Sequence, residues 1–317
     1  MRAGMSRSSF GRGSKIRTCD PRFPKPVLYQ AELCPVDRQH RLSALSEKGK
    51  SAAPPGVDAA AQTPETKGMF DITQPWPFGI NRTNWYWFAG GFVAVVGLLL
   101  LLDATVSQSA QAWPAPWGWF FRFITDIGMA EWWLFPTAKI FLVCLGLVAI
   151  SRDPVARNAW LEASGLAGFL FAGVALPSLA TAIIKRVVGR SRPELFDSVG
   201  YLDFNVNLTD YAYQSFPSGH ATTVFAMAMV VCFLGGRRWV LPALVVAVLV
   251  AFSRVPVGAH YPTDVFAGSV CGIVFTYVVR NLFALRGWVF QREPDGRILR
   301  KPFVAIPQFW ADLNRSR

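Results

Sequence analysis

Long apolar runs constrain the fold of this chain more than any other feature of its sequence. Residues 85–102 are almost uninterruptedly apolar. At about 1.5 Å of rise per residue, a helix of this length just suffices for a tilted or locally thinned membrane span. We predict six spans, at about residues 85–102, 131–150, 160–184, 220–234, 239–252 and 265–283. The sequence therefore predicts an all-α fold, an integral membrane bundle of six helices, although the fourth and fifth spans are short for a full crossing.

The distribution of basic residues supports a membrane protein over a nucleic-acid-binding one. The formal net charge is +12, and of the 32 Lys and Arg residues twelve precede residue 68 and eight lie from residue 280 onward. Basic ends that flank apolar spans are typical of a cytoplasmic face. No nucleic-acid motif or aromatic-interleaved basic patch is present, so we predict no nucleic-acid partner. The oligomeric state stays open.

The charges in the connections orient the predicted bundle. The segments after the second and fourth spans carry four arginines, which places them on the cytoplasmic side of the membrane: Arg152, Arg157, Arg237 and Arg238. Both termini are then cytoplasmic. The connections between the third and fourth spans and between the fifth and sixth spans lie outside, on the periplasmic side. Basic residues in these two outer connections break the usual charge pattern, which indicates a function for them.

The segments around the bundle have expected roles of their own. Residues 1–68 have no sustained apolar period, so we predict a disordered extension there. Residues 13–33 resemble a translated tRNA gene, which makes Met69 a plausible true start. We predict the membrane domain over residues 69–287 and a basic cytoplasmic tail over 288–317. Residues 103–130 are rich in Pro and Trp, which predicts a re-entrant or interfacial segment.

A polar island lies between the fifth and sixth spans, where residues 253–264 read SRVPVGAHYPTD. If Pro262 opens a helix, His260 and Asp264 lie about one turn apart and can share a face. Asp264 would then accept a hydrogen bond from one ring N–H, which fixes the tautomer and leaves the other nitrogen nucleophilic. Arg254 supplies positive charge for an anion beside this pair.

Two further polar motifs fall at the same membrane face. Lys185 and Arg192 lie seven residues apart at the end of the third span, and with Arg254 they can neutralise a phosphoryl group. At the start of the fourth span, Ser218 and the Gly219 amide would face the same anion from a helix N-terminus.

These residues also predict a reaction. His220 is left to protonate the leaving oxygen, and attack by His260 would give a phosphohistidine that a second step hydrolyses. The sequence offers no cluster of carboxylates to hold a metal, so we predict no metal site and no cofactor.

The three motifs together resemble the type 2 phosphatidic acid phosphatase superfamily. The order K-x6-R-P, then P-S-G-H, then S-R-x5-H-x3-D covers residues 185–264. The resemblance implies His260 as the nucleophile, Asp264 as its partner, His220 as the acid and a metal-independent reaction at the outer end of the helices. Because the superfamily includes bacterial membrane lipid phosphatases, it also implies the periplasmic face of a bacterial inner membrane. It also implies a lipid phosphate or diphosphate as substrate. Candidates are undecaprenyl diphosphate, phosphatidylglycerol phosphate, phosphatidate and the phosphates of lipid A.

Two other functions use the same residues. A phosphotransferase would pass the phosphate from the phosphohistidine to a lipid hydroxyl instead of water. A non-catalytic binder or carrier would hold lipid phosphates without turning them over, although an intact nucleophile and acid argue against it.

Several polar residues near the motifs have alternative roles. Lys139, inside the second predicted span, either snorkels toward headgroups, pairs with Glu131, or contacts a substrate headgroup. Arg190 is either an interfacial anchor or a secondary phosphate or headgroup contact. The aromatic loop 194–216 is predicted to be a lid that packs over the bundle end, with substrate sorting as the alternative.

Overall fold

The computed structural model describes residues 71–206 and 208–315, so the prediction for residues 1–68 lies outside the described residues. Helices form most of the described chain. In chain order they are α1 Trp85–Gln111, α2 Ala115–Asp126, α3 Glu131–Ile150, α4 Pro154–Val188, α5 Phe196–Val199, α6 Gly219–Gly235, α7 Val240–Phe252, α8 Pro262–Leu285 and α9 Ala305–Arg315. The strands Phe290–Arg292 (β1) and Ile298–Arg300 (β2) pair as an antiparallel hairpin.

Each of the six predicted spans falls on a helix. Among the described residues, four stretches are long and apolar enough to cross a membrane: α1, the stretch Ala115–Ile150, α4 and α8. The remaining two, α6 and α7, have 17 and 13 residues. The chain is therefore a multi-pass membrane protein with a helical fold, and the count of six spans stays a prediction.

The first helix is longer than the sequence suggested. We expected it to end at residue 102, before the first charged side chain, whereas α1 continues to Gln111. The reason is that Asp103, Ser107 and Ala110 recur at helical spacing and are buried on one face of α1. The expected re-entrant or interfacial segment therefore contains the end of α1 and the separate helix α2.

Close packing of α6 against α8 depends on small residues. A Cβ added to Gly268 would lie 2.3 Å from the Ser218 carbonyl oxygen, and one added to Gly272 would lie 2.5 Å from the Thr222 carbonyl oxygen. Only glycine lets the two backbones approach this closely. The start of α6 is thereby held against the first turns of α8.

The residues after α8 pack onto the bundle. Phe290 of β1 and Ile298 of β2 lie in one buried cluster with Phe169 of α4 and Tyr277 of α8. The segment expected to be a basic cytoplasmic tail therefore begins with a hairpin, which the sequence did not indicate. Farther along, the Glu162 carboxylate of α4 accepts hydrogen bonds from the amides that open α9: Val304, Ala305 and Ile306, each at 3.0 Å.

Candidate active site

The first motif leaves α4 through a left-handed glycine. Gly189 has φ of 65° and closes the C-terminus of α4, and an added Cβ would lie 2.2 Å from the Asn205 carbonyl oxygen. Because the chain turns sharply here, Arg190 and Arg192 point inward and are 1% and 3% exposed. Lys185, one turn before the helix end, brings its Nζ to 3.5 Å from the point where a Cβ on Gly219 would lie.

The second motif opens α6 as predicted from the sequence. Ser218 is the N-cap residue, and its Oγ accepts from the Ala221 amide at 3.5 Å. The Ser218 amide donates to the Asp264 carbonyl oxygen at 2.9 Å, which ties the second motif to the third. Gly219 and His220 form the first turn of α6, where backbone amides and the helix dipole favour an anion.

Pro262 opens α8, which places His260 and Asp264 side by side. The His260 Nδ1 lies 3.6 Å from Asp264 Oδ2, longer than a hydrogen bond, and 3.5 Å from Ser215 Oγ. Asp264 Oδ2 accepts from Ser215 Oγ at 2.5 Å and from the Tyr261 amide at 2.9 Å. A carboxylate has about four acceptor positions, and with the Arg190 hydrogen bond to Oδ1 three are in use, so one remains for the imidazole N–H.

Arg190 lies between two carboxylates, which the sequence did not indicate. Its Nη1 donates to Asp264 Oδ1 at 2.7 Å and its Nη2 donates to Asp103 Oδ2 at 2.8 Å. Burial alone would lower the pKa of Arg190, but the two carboxylates outweigh it and raise that pKa above its ordinary value. A guanidinium that is 1% exposed does not act as an interfacial anchor, and a contact to a substrate phosphate or headgroup stays a prediction.

The two other arginines are held so that donors remain for a ligand. Arg254 Nη1 donates to Thr125 Oγ1 at 2.6 Å, while its buried Nε has no hydrogen-bond partner among the described residues. Arg192 donates to the carbonyl oxygens of Tyr211, Gln214 and Ala259, which accounts for three of its five N–H groups. Its guanidinium also stacks on the Tyr211 ring, 3.6 Å from the centroid.

Direct contacts bring the charged residues of the three motifs together. Arg192 Nη1 donates to the Ala259 carbonyl oxygen beside His260 at 3.0 Å, and the Lys185 Nζ lies next to Gly219. His260 is 2% exposed, and burial lowers its pKa to about 3, with Arg192 and Lys185 acting in the same direction and Asp264 opposing them. The imidazole of His260 is therefore neutral near pH 7 and retains a lone pair for attack.

Some predicted residues lie outside this convergence. Lys139 is exposed on α3, and the ion pairs found in the described chain do not join it to Glu131. Within residues 71–206 and 208–315, no group of three or more His, Cys, Asp or Glu side chains could hold a metal ion. Metal independence stays a prediction about the reaction.

Three side chains of the site were not identified from the sequence. Ser215 contacts Asp264, Thr125 contacts Arg254 and Asp103 contacts Arg190. Ser215 lies three residues before Ser218, so its proximity to the P-S-G-H motif was an available signal. Thr125 and Asp103 are more than 80 residues from their partners in sequence, and only the burial of Asp103 inside an apolar run could have indicated a functional partner.

Comparison with known proteins places this arrangement in a family. The model of the PAP2 superfamily matches residues 166–288. A lipid A 1-phosphatase from Rhizobium johnstonii is 32% identical over 226 residues, which cover 70% of this chain and 91% of that protein. The chain belongs to the PAP2 superfamily. This membership confirms the resemblance carried by the three motifs, and with it the prediction of an enzyme that hydrolyses phosphoric monoesters or diphosphates.

Other PAP2 proteins are similar over shorter stretches or at lower identity. A decaprenylphosphoryl-5-phosphoribose phosphatase from Mycolicibacterium smegmatis is 37% identical over 126 residues, 40% of this chain and 61% of that protein. A solved structure is also similar, the crystal structure of a transmembrane PAP2 type phosphatidylglycerolphosphate phosphatase from Bacillus subtilis. The aligned residues cover 60% of this chain and 91% of that protein, with 22% identity and a TM-score of 0.39.

Proposed function

We propose that this PAP2 protein removes phosphate from a lipid phosphate or diphosphate through a phosphohistidine on His260. The observation that carries the proposal is the buried Nε of Arg254, which has no hydrogen-bond partner among the described residues. It belongs to a site where the Lys185 Nζ lies beside Gly219 and Arg192 Nη1 donates to the Ala259 carbonyl oxygen, next to His260. Buried donors are normally satisfied, so an unpaired guanidinium N–H among cations suits a bound phosphate oxygen.

In the first step, the lone pair of His260 Nε2 forms a bond to phosphorus. The bond from phosphorus to the leaving oxygen breaks, and that oxygen takes a proton from His220. The leaving group is a lipid alcohol for a monophosphate substrate and a lipid monophosphate for a diphosphate. The phosphate brings negative charge beside His220, which favours the protonated imidazole needed here. The His260 ring becomes cationic, with its Nδ1–H directed to Asp264.

In the second step, His220 acts as the base. It removes a proton from water, the water oxygen bonds to phosphorus, and the bond from His260 to phosphorus breaks to release inorganic phosphate. The amides at the start of α6 and the three cations stabilise the charge on the phosphoryl oxygens in both steps.

The phosphates of lipid A are the first substrate candidates. The Rhizobium relative is named a lipid A 1-phosphatase and aligns over 91% of its length. Undecaprenyl diphosphate, phosphatidylglycerol phosphate and phosphatidate stay candidates, because the three motifs would bind the phosphate and do not distinguish the lipid tails.

We propose that the reaction takes place at the periplasmic face of the bacterial inner membrane, with both termini in the cytoplasm. The charge counts in the connections support this orientation. The end of α4 and the starts of α6 and α8 meet at the site, as one membrane face requires. Fusion of a reporter that functions only in the cytoplasm to the C-terminus should give an active reporter. Activity of a periplasm-only reporter there would contradict this topology.

A phosphate-release panel with purified protein tests the function and separates it from the alternatives. Micelles of lipid A, undecaprenyl diphosphate, phosphatidylglycerol phosphate and phosphatidate are supplied one at a time, and inorganic phosphate is measured. We expect release from at least one lipid and none from His260→Ala. A phosphorylated acceptor lipid with little free phosphate would indicate a phosphotransferase, and binding without turnover would indicate a carrier.

A further inference from the structure

Three buried charged side chains connect α1 to the proposed nucleophile and its partner. Asp103 Oδ2 lies 2.8 Å from Arg190 Nη2, and Arg190 Nη1 lies 2.7 Å from Asp264 Oδ1. The side chains of Asp103 and Asp264 are 0% exposed and that of Arg190 is 1% exposed. Asp103 therefore reaches Asp264 through a single intervening guanidinium.

Asp103 also contacts the helix that carries Asp264. Its Oδ1 accepts a hydrogen bond from the Thr263 amide at 2.9 Å, in the first turn of α8. The two oxygens of one carboxylate thus hold both the backbone next to Asp264 and the arginine that hydrogen-bonds its side chain. This double contact restricts where the Asp264 carboxylate can lie relative to His260.

The charges of the trio have a consequence for phosphoryl transfer. Arg190 and Asp264 alone would have no net charge, so Arg190 would cancel much of the negative potential that Asp264 offers to His260. Asp103 adds a second carboxylate and gives the trio a net charge of −1. Because the trio is buried, this charge acts on a cationic His260 ring more strongly than it would in water.

We propose that Asp103 is a positioning residue for phosphoryl transfer, which sets the orientation and effective charge of Asp264 through Arg190. The proposal rests on the proposed function, with His260 as the nucleophile. Asp103 precedes residues 166–288, the part matched by the PAP2 model, and lies outside the three sequence motifs.

The alternative is an ion pair that only fastens α1 to the bundle. That role would lower stability when Asp103 is changed but would leave the rate per folded molecule intact. The positioning role instead lowers kcat at unchanged KM, because the phosphate-binding cations are untouched while the charge that stabilises the cationic imidazole is lost.

The test uses Asp103→Asn, Asp103→Glu and the control Asp197→Asn in the full-length protein, with phosphate release from the best lipid of the panel as the assay. Asparagine keeps the shape and one acceptor oxygen but removes the charge. By analogy with residues that orient metal ligands, we expect kcat to fall about tenfold or more with KM within about twofold. Glutamate restores the charge and should recover part of that loss. Asp197 is an exposed carboxylate in the short helix α5, outside the three motifs, so its variant should match the wild type.

A double variant distinguishes charge from simple contact. Arg190→Gln combined with Asp103→Asn leaves Asp264 as the one charge of the trio and restores the net charge of −1. Its kcat should exceed that of Asp103→Asn alone. A fastening role predicts that the double variant is no better than either single variant.

Each outcome decides between the roles. Wild-type kcat in Asp103→Asn, or loss of folding in both the Asn and Glu variants as judged by size-exclusion chromatography, would overturn the positioning role. Neither result would affect the proposed function, because wild-type phosphate release is measured in the same assay. An inactive wild-type protein would overturn both.

Discussion

Gly268→Ala tests whether the close approach of α6 and α8 sets the geometry of the site. The added Cβ would lie 2.3 Å from the Ser218 carbonyl oxygen and 3.1 Å from the Ala221 Cβ. The first neighbour is backbone, which cannot rotate away, so the two helices must separate by about 1 Å to reach ordinary van der Waals distance. Ser218 is the second residue of the P-S-G-H motif, and this shift therefore moves His220 away from His260.

Two magnitudes follow from that displacement. Overpacking of a tightly packed site costs about 1–3 kcal/mol of stability. A misplacement of about 1 Å between reacting groups can reduce the rate on the order of a hundredfold. We therefore expect a large loss of kcat in protein that still folds, measured as phosphate release alongside thermal unfolding in the same detergent.

Gly146→Ala is the matched control. Gly146 lies inside α3, and no heavy atom lies within 4 Å of the point where its Cβ would be. Alanine in an open helical position should keep full activity and stabilise the helix by about 0.5–1 kcal/mol. Wild-type kcat in Gly268→Ala would refute the argument that this contact positions the two histidines.

Further variants and conditions test other parts of the site. Arg192→Lys should raise KM by about tenfold or more. Lysine cannot reproduce the hydrogen bonds to three carbonyl oxygens or the stacking on Tyr211 that orient the cation. An unchanged KM would contradict this. Excess chelator should leave phosphate release unchanged, whereas a strict divalent requirement would contradict the assignment of charge stabilisation to the three cations. Burial lowers the pKa of His260 from 6.5 to about 3, so below pH 6.5 the unfolded chain takes up a proton that the folded chain does not. Stability should therefore fall as pH drops from 6.5 toward 3. Thermal unfolding should show a smaller fall in His260→Gln, and an equal fall would contradict the buried neutral imidazole.

The residues of the three motifs were identifiable from sequence because each motif is local. Pro262 begins a helix, and the spacing of His260 and Asp264 then follows from helical geometry. The same holds for Ser218 as the N-cap of α6. Topology alone was enough to expect all three motifs at one end of the bundle.

Contacts between residues distant in the chain were not predictable in this way. Asp103 looked like the end of a span because a charge inside an apolar helix is costly. That cost is offset by Arg190, 87 residues away, which no local pattern reveals. The carboxylate partners of Arg190 were missed for the same reason. The β1–β2 hairpin is short, and its buried Phe290 and Ile298 depend on a cluster formed by α4 and α8.

The most direct test of the account maps the phosphoryl group on the protein. In His220→Ala with an aryl phosphate ester, the good leaving group needs no acid, but the second step lacks its base, so the intermediate should accumulate. The reaction is quenched in alkali and the digested protein is analysed by mass spectrometry. The account predicts a burst of aryl alcohol and a phosphoryl group on His260. The same burst with His260 unmodified would contradict it.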